Sequence, residues 1–189
     1  MSLRDELQRT VCDCARCVAC CRAKPGVLGV GDLNLILKQY AVKEIGLTPG
    51  RVTNEWILGH FEASEGAVAA RKTRHGIDYL RIPTIVPRLT DTGCVFLRDN
   101  RCLVHDVAPM GCAFLDLHIP HDEGRRISTL IHRDILANPD VEQQVYRGTW
   151  LYLHQHGRNA RPLRERQDHL DELLHMLDQE EANSGSSRP

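Results

Sequence analysis

Apolar residues recur at helical spacing in several stretches of the chain. In residues 32–42 Asp32 is the expected N-cap, and one face of the predicted helix carries Leu33, Ile36, Leu37 and Tyr40. A second helix is predicted from Thr53, with a similar face formed by Trp56, Ile57 and Phe61. Helical spacing returns beyond Pro120, over residues 127–136, 141–154 and 163–177. The pattern therefore predicts a mainly helical chain.

Two stretches between the helical segments have a different pattern. Residues 77–89 contain Pro83 and Pro87. Because proline cannot donate to a sheet ladder, we expect irregular extended chain there rather than a central strand. Residues 94–105, CVFLRDNRCLVH, hold two short apolar runs around Asp99 and Asn100, which predicts a β-hairpin with a cysteine in each run. The expected fold class is mainly α with a short β-hairpin, a small irregular α+β fold.

Length and composition indicate one domain. The chain has 189 residues, of which 42% are hydrophobic, enough for one ordinary core and short for two. No linker and no internal repeat is evident. We expect a single domain over residues 1–182, with a motif region at 12–121 and a helical C-terminal part at 122–180, and a disordered tail at 183–189.

Charge does not indicate a partner. The 24 Lys and Arg residues nearly balance the 25 Asp and Glu residues, so no net field attracts nucleic acid or an anionic membrane. No apolar run approaches the roughly 18 residues of a membrane span, and the N-terminus lacks the apolar region of a signal peptide. We expect a cytoplasmic protein with neither nucleic acid nor membrane as a partner. In that reducing compartment, clustered cysteines indicate metal or redox chemistry more often than disulfides.

The most informative feature is a cysteine cluster near the N-terminus. Five of the eight cysteines lie within residues 12–21, CDCARCVACC. Cys14, Cys17 and Cys20 have the C-x2-C-x2-C spacing with which bacterial ferredoxins wrap an iron–sulfur cluster. Lys24 stands where the fourth ferredoxin cysteine would be, although Pro25 follows it. A further ligand is therefore expected from Cys94, Cys102 or Cys112, which would staple distant parts of the domain through the metal.

The adjacent pair Cys20 and Cys21 bears on the number of metal atoms. Neighbouring side chains diverge on a helix and on a strand, so two adjacent thiols seldom bind one ion. If both are ligands, Cys21 serves a different metal atom from Cys20, in a polynuclear cluster or in two neighbouring sites. Eight thiols would fill two zinc sites of four thiolates, or one four-iron cluster with thiols to spare.

Four short motifs together carry a resemblance to a known family. CARCVACC at 14–21, CVFL at 94–97, RCLVHD at 101–106 and APMGCAF at 108–114 resemble the YkgJ-type cysteine-cluster family, a zinc- or iron-chelating domain with a C-x2-C-x2-CC signature. The chain departs from the family pattern at His105, Ala108 and Ala113, where the family has a tyrosine and two arginines. The metal ligands implied by the resemblance are Cys14, Cys17, Cys20, Cys21, Cys94, Cys102 and Cys112.

Other candidate ligands are weaker. Cys12 lies outside the signature and is either an additional ligand or a bystander. His105 follows Cys102 by three residues, so a hairpin could bring both to one metal, but an imidazole bonded to backbone is the more ordinary role. The same holds for His118 and His121, which form H-x2-H beyond Cys112.

Three functional classes remain open at the level of sequence. The first is an iron–sulfur protein, with a 4Fe–4S cluster or iron ions, that transfers electrons or supports a redox or metalloprotein partner. The second is a structural Zn²⁺ domain that mediates interactions. The third is a metal-dependent enzyme, for example in methyl transfer. The divergent thiols of Cys20 and Cys21 favour the first class, and enzymatic activity stays an open question.

Overall fold

A computed structural model describes residues 3–7, 18–41, 46, 54–115, 119–136 and 141–157. The predicted helix at 163–177 and the tail at 183–189 lie outside these residues. The helices are α1 Leu3–Glu6, α2 Ala19–Ala23, α3 Asp32–Ile36, α4 Asn54–His60, α5 Met110–Ala113, α6 His121–Leu136 and α7 Val141–His156. A π-helix, Leu37–Ala41, continues α3, and a 3₁₀ turn, His105–Val107, precedes α5. The predicted helices at 127–136 and 141–154 are therefore confirmed.

The longest strands form a hairpin where irregular chain was expected. Strand β1, Phe61–Thr73, pairs antiparallel with β2, Gly76–Pro87. The pairing shifts between Ser64 and Ala67, so two residues of β1 lie opposite Pro83. A bulge at this point accommodates a proline that has no N–H to donate. The expectation of irregular chain at 77–89 was therefore wrong.

Two much shorter hairpins follow directly along the chain. The first pairs β3, Leu89–Thr90, with β4, Gly93–Cys94, and the second pairs β5, Leu97–Arg98, with β6, Arg101–Cys102. Asp99 and Asn100 connect the second pair with φ values of 49° and 57°, the left-handed conformation that a type I′ turn requires. The hairpin predicted around these two residues is confirmed.

The N-terminal side of α3 differs from its prediction. Gly31 is the N-cap and makes no side-chain capping bond, whereas Asp32 is the first residue of the helix. The Asp32 side chain is 1% exposed and bonds elsewhere in the protein, so its expected role as N-cap was wrong. The expected apolar face is correct, because Leu33, Ile36 and Tyr40 are buried. In the next segment α4 stops at His60, and Phe61 belongs to β1 rather than to the helix.

One hydrophobic core joins the helices to the long hairpin. It includes Ile36 of α3, Ile85 of β2, Ile131 of α6 and Leu153 of α7. Helix α7 packs on both strands of the hairpin, and α6 packs on β2. The described residues thus form helices packed on small antiparallel sheets, which agrees with the predicted small α+β class. Within these ranges no helix is long and apolar enough to cross a membrane.

A buried tyrosine joins three segments of this core. The hydroxyl of Tyr146 donates to the Leu28 carbonyl and accepts from the Ile85 N–H, each at 2.9 Å. The Leu28 N–H in turn donates to the Ile85 carbonyl at 2.8 Å. These three bonds fix residue 28 against β2 and α7.

Candidate metal centre

Helix α2 presents the adjacent cysteines beside the first short hairpin. Cys20 and Cys21 are consecutive residues of this five-residue helix, so their side chains leave it in different directions. The helix packs against β4. At Gly93, φ is 126° and a Cβ would lie 3.1 Å from the Cys21 carbonyl oxygen, so a residue without a side chain is needed there. Glycine at 93 therefore allows Cys21 to approach the strand that carries Cys94.

The two short hairpins are an internal repeat that holds two cysteines in equivalent positions. Both have the sequence Leu-x-Asp-x-x-Cys, at residues 89–94 and 97–102. Cys94 pairs with Leu89, and Cys102 pairs with Leu97. Each repeat continues with a matching backbone bond, from Val95 N–H to residue 88 at 2.8 Å and from Leu103 N–H to residue 96 at 2.9 Å. The expectation that the chain has no internal repeat was wrong.

Cys112 is placed by a close contact between two backbone segments. It lies in α5, and its Sγ accepts a hydrogen bond from the Gly26 N–H at 3.1 Å. A Cβ on Gly26 would come within 2.1 Å of the Gly111 carbonyl carbon, and a Cβ on Gly111 within 2.4 Å of the Val27 nitrogen. Only glycine at both positions allows this approach. The Gly111 N–H donates to the Val27 carbonyl at 2.8 Å and closes the contact.

A buried carboxylate holds the first residue of the helix that carries Cys112. Oδ2 of Asp32 accepts from the Met110 N–H at 2.6 Å and from the Gly29 N–H at 2.8 Å, while Oδ1 accepts from Arg4 at 2.6 Å. Burial raises the pKa of Asp32 to about 6, and the positive charge of Arg4 and the two N–H groups only partly oppose this rise. Asp32 thereby links α1, α3 and α5 around the cysteine.

The thiols of Cys21, Cys94, Cys102 and Cys112, here called the thiol cluster, influence one another's ionisation. Burial raises the pKa of Cys94 to about 11, the Phe96 N–H bonded to it opposes the rise, and Cys21 adds to it. Burial likewise raises the pKa of Cys112 well above its usual value, and each of the other three thiols raises it further. Cys112 therefore lies within electrostatic range of the other three thiols, which belong to α2, β4 and β6.

The thiol cluster offers the kind of ligand that soft metals prefer. None of the five cysteines that the structure describes is in a disulfide. Among the described residues, no group of three or more histidine, cysteine, aspartate or glutamate side chains is arranged to hold a metal ion as it stands. The thiols of the cluster therefore do not form a closed coordination shell in the described part of the chain. A cation among them would favour the thiolate form that their mutual repulsion disfavours, and the Gly26 and Phe96 N–H groups would stabilise that charge.

The structure gives less information about the remaining candidate ligands. Cys12, Cys14, Cys17 and His118 lie outside the described residues. Cys20 is half-buried in α2, and ligation by it remains a prediction. His105 is the first residue of the 3₁₀ turn and His121 is the first residue of α6, where it is exposed. Ligation by His105 also remains a prediction.

Comparisons with known proteins return no match: no protein-family model matches the sequence, and neither a curated protein nor a solved structure matches it significantly. The resemblance to the YkgJ-type family therefore remains a prediction from the motifs.

Proposed function

We propose that the protein is a metal-binding domain in which Cys21, Cys94, Cys102 and Cys112 supply four thiolates to one metal centre. The observation that carries this proposal is that thiols from α2, β4 and β6, up to 91 positions away in the sequence, each raise the pKa of the buried Cys112 in α5. Clustered cysteines of which the described ones form no disulfide are typical of metal sites.

The proposed centre is an iron–sulfur cluster that serves in electron transfer or in support of another metalloprotein. A donor set of four thiolates is the usual ligand set for iron–sulfur clusters. Cys20 leaves α2 in a different direction from Cys21, so in this proposal it serves another metal atom, together with Cys14 and Cys17 of the N-terminal signature. This sharing of adjacent thiols favours a polynuclear centre or two neighbouring centres over a single mononuclear one.

A structural zinc site is the second candidate. Four cysteines presented by two equivalent short hairpins and two helices make a donor set that tetrahedral zinc also accepts. Under this proposal the metal joins α2 to the two hairpins and to α5, and its main contribution is folding free energy. A metal-dependent enzyme, the third class, would need a substrate site in addition to the metal.

Within either centre this chain's own residues perform three tasks. The glycines at 26, 93 and 111 allow the backbone segments to approach, the Asp32 carboxylate fixes the start of α5, and the Gly26 and Phe96 N–H groups donate to sulfur. The metal, when bound, supplies the redox or structural chemistry. Binding releases the thiol protons, so uptake of metal is coupled to proton release.

The test is elemental analysis of protein purified without oxygen. Iron and acid-labile sulfide, with a brown colour that dithionite bleaches, support the iron–sulfur assignment, and colourless protein with stoichiometric zinc supports the structural alternative. Cys94→Ser, Cys102→Ser and Cys112→Ser should each lower metal content and thermal stability together. Cys12→Ser, outside the signature, is the matched control for replacing sulfur by oxygen. Metal content that is unchanged in all three cluster variants would refute the ligand assignment.

A further inference from the structure

Helix α7 has a second apolar face, on the side away from the core. Tyr146 and Leu153 are 2% and 1% exposed and lie inside the protein, whereas Val145 and Leu151 are 46% and 49% exposed. Gly148 lies between the two exposed residues on the helix surface, and among the described residues no atom is within 4 Å of a Cβ at that position. Val145 and Leu151, with the open space between them, are here called the outer face of α7. A helix that is apolar on both sides is usually covered on both sides.

The sequence that follows α7 predicts a helix with an apolar side of its own. This is the helix expected over residues 163–177, whose leucines fall on one side at i, i+3, i+4 and i+7: Leu170, Leu173, Leu174 and Leu177. Asp171 and Glu172 fall on the opposite side. A single helix of this length is only marginally stable in water. The predicted helix therefore needs an apolar surface on which its leucines can pack.

The connection between the two segments has the length of a turn between antiparallel helices. Helix α7 ends at His156 and the predicted helix begins at Leu163, so residues 157–162 connect them, and connections of two to eight residues are usual between neighbouring helices. Such a short connection returns the chain along α7 in the opposite direction.

The apolar positions of the two segments then lie at matching heights. Leu151 is five residues before the end of α7, and Leu170 is seven residues after the start of the predicted helix. Val145 is six residues from Leu151, roughly 9 Å along the axis, and Leu177 is seven residues from Leu170, roughly 10 Å. In an antiparallel pair Leu170 is therefore beside Leu151, and Leu177 is beside Val145, each to within about one helical turn.

We propose that residues 163–177 form a helix that packs antiparallel on the outer face of α7, with its leucines against Val145 and Leu151. The tether favours this occupant over a second copy of the chain, because a short connection holds the segment at an effective concentration on the order of millimolar. The proposal concerns a different part of the protein from the metal centre and does not depend on it.

Amide hydrogen exchange of the full chain, as purified with its metal, tests this packing. Mass spectrometry follows the backbone amides of residues 163–177 and compares them with a synthetic peptide of residues 158–180. A docked helix protects its amides, whereas an isolated helix of this length opens continually. Exchange in the protein should be at least about tenfold slower than in the peptide, and it should stay equally slow when the protein is diluted.

Two variants make the result specific to the outer face. Leu151→Asp and Val145→Asp each place a charge under the leucines, so each should raise the exchange rate of residues 163–177 towards that of the peptide. Ile77→Asp is the matched control, because Ile77 is an apolar residue of β2 that is 41% exposed, and it should leave this rate unchanged. Thermal unfolding shows whether each variant is folded, and Val145→Asp keeps the test valid if Leu151→Asp is not.

Three results would overturn the proposal. The first is exchange of residues 163–177 in wild type as fast as in the peptide. The second is wild-type protection in the folded Leu151→Asp and Val145→Asp variants, or an equal loss of protection in Ile77→Asp. The third is protection that disappears on dilution, which would identify a second copy of the chain as the occupant of the outer face.

Discussion

Gly26 and Cys112, which are 86 positions apart, are joined by a hydrogen bond from the Gly26 N–H to the Cys112 Sγ at 3.1 Å. The bond exists because Gly26 and Gly111 lack side chains, so that their backbones touch. The position of one proposed metal ligand therefore depends on a glycine outside every cysteine motif.

Gly26→Ala should disturb this contact. The new Cβ would lie 2.1 Å from the Gly111 carbonyl carbon, so the two segments must separate, at a cost of about 1 to 3 kcal/mol in the free energy of unfolding. Urea denaturation measures the loss, and metal content should fall with it. Gly148→Ala is the control, because nothing lies within 4 Å of a Cβ at that position in α7. That control should gain about 0.5 to 1 kcal/mol, and equal stability of the two variants would contradict the model of the contact.

Tyr146→Phe should destabilise the core without changing its shape. The variant leaves the buried Ile85 N–H without its acceptor and removes the donor to the Leu28 carbonyl, which costs about 1 to 3 kcal/mol. Tyr152→Phe, on the half-buried side of the same helix, should change stability by less than about 0.5 kcal/mol. Denaturant unfolding compares the two variants, and similar losses would show that the Tyr146 bonds do not hold these segments together.

The ionisation of Asp32 predicts a pH dependence. The pKa of Asp32 is about 6 in the folded protein and 3.8 in the reference state, so folding favours the protonated form. Its stabilising contribution is fully present below about pH 4 and is lost as the pH rises through 6, by about 3 kcal/mol in total. The asparagine of Asp32→Asn cannot ionise. The stability of wild type relative to this variant should therefore fall as the pH rises from about 4 to about 6.

Asp122 is the control for the pH dependence predicted at Asp32. Asp122→Asn changes an exposed carboxylate on α6, and the stability of wild type relative to it should show no fall as the pH rises between about 4 and 6, because Arg125 lowers rather than raises the pKa of Asp122. If the stability of wild type relative to Asp32→Asn instead rises with pH, the Arg4 and backbone donors outweigh burial at Asp32.

Local signals in the sequence were sufficient for the second short hairpin. The apolar runs on either side of Asp99 and Asn100 predicted it, and these two residues adopt the left-handed conformations that such turns need. The same Leu-x-Asp-x-x-Cys pattern at 89–94 and 97–102 also indicates the first short hairpin and the repeat. Local turn chemistry is readable because it depends on neighbouring residues alone.

Features that depend on distant partners were not readable. Pro83 argued against a strand, yet the bulge in β1 that accommodates it is a property of the pairing. Asp32 has the sequence context of an N-cap, but its carboxylate bonds the Met110 N–H, 78 positions away. Gly26 belongs to no motif, and its role and that of Gly111 appear only when both segments are in place. Which cysteines are neighbours likewise depended on the fold, although their number and spacing indicated metal chemistry.

X-ray absorption at the metal edge of the oxygen-free, full-length protein tests the central claim most directly. Every atom in the first coordination shell of the metal should be sulfur, at about 2.3 Å if the metal is zinc. In Cys112→Ser protein that still retains metal, a lighter atom should replace one of these sulfur atoms. A first shell of nitrogen and oxygen, or protein that binds neither iron nor zinc, would contradict it.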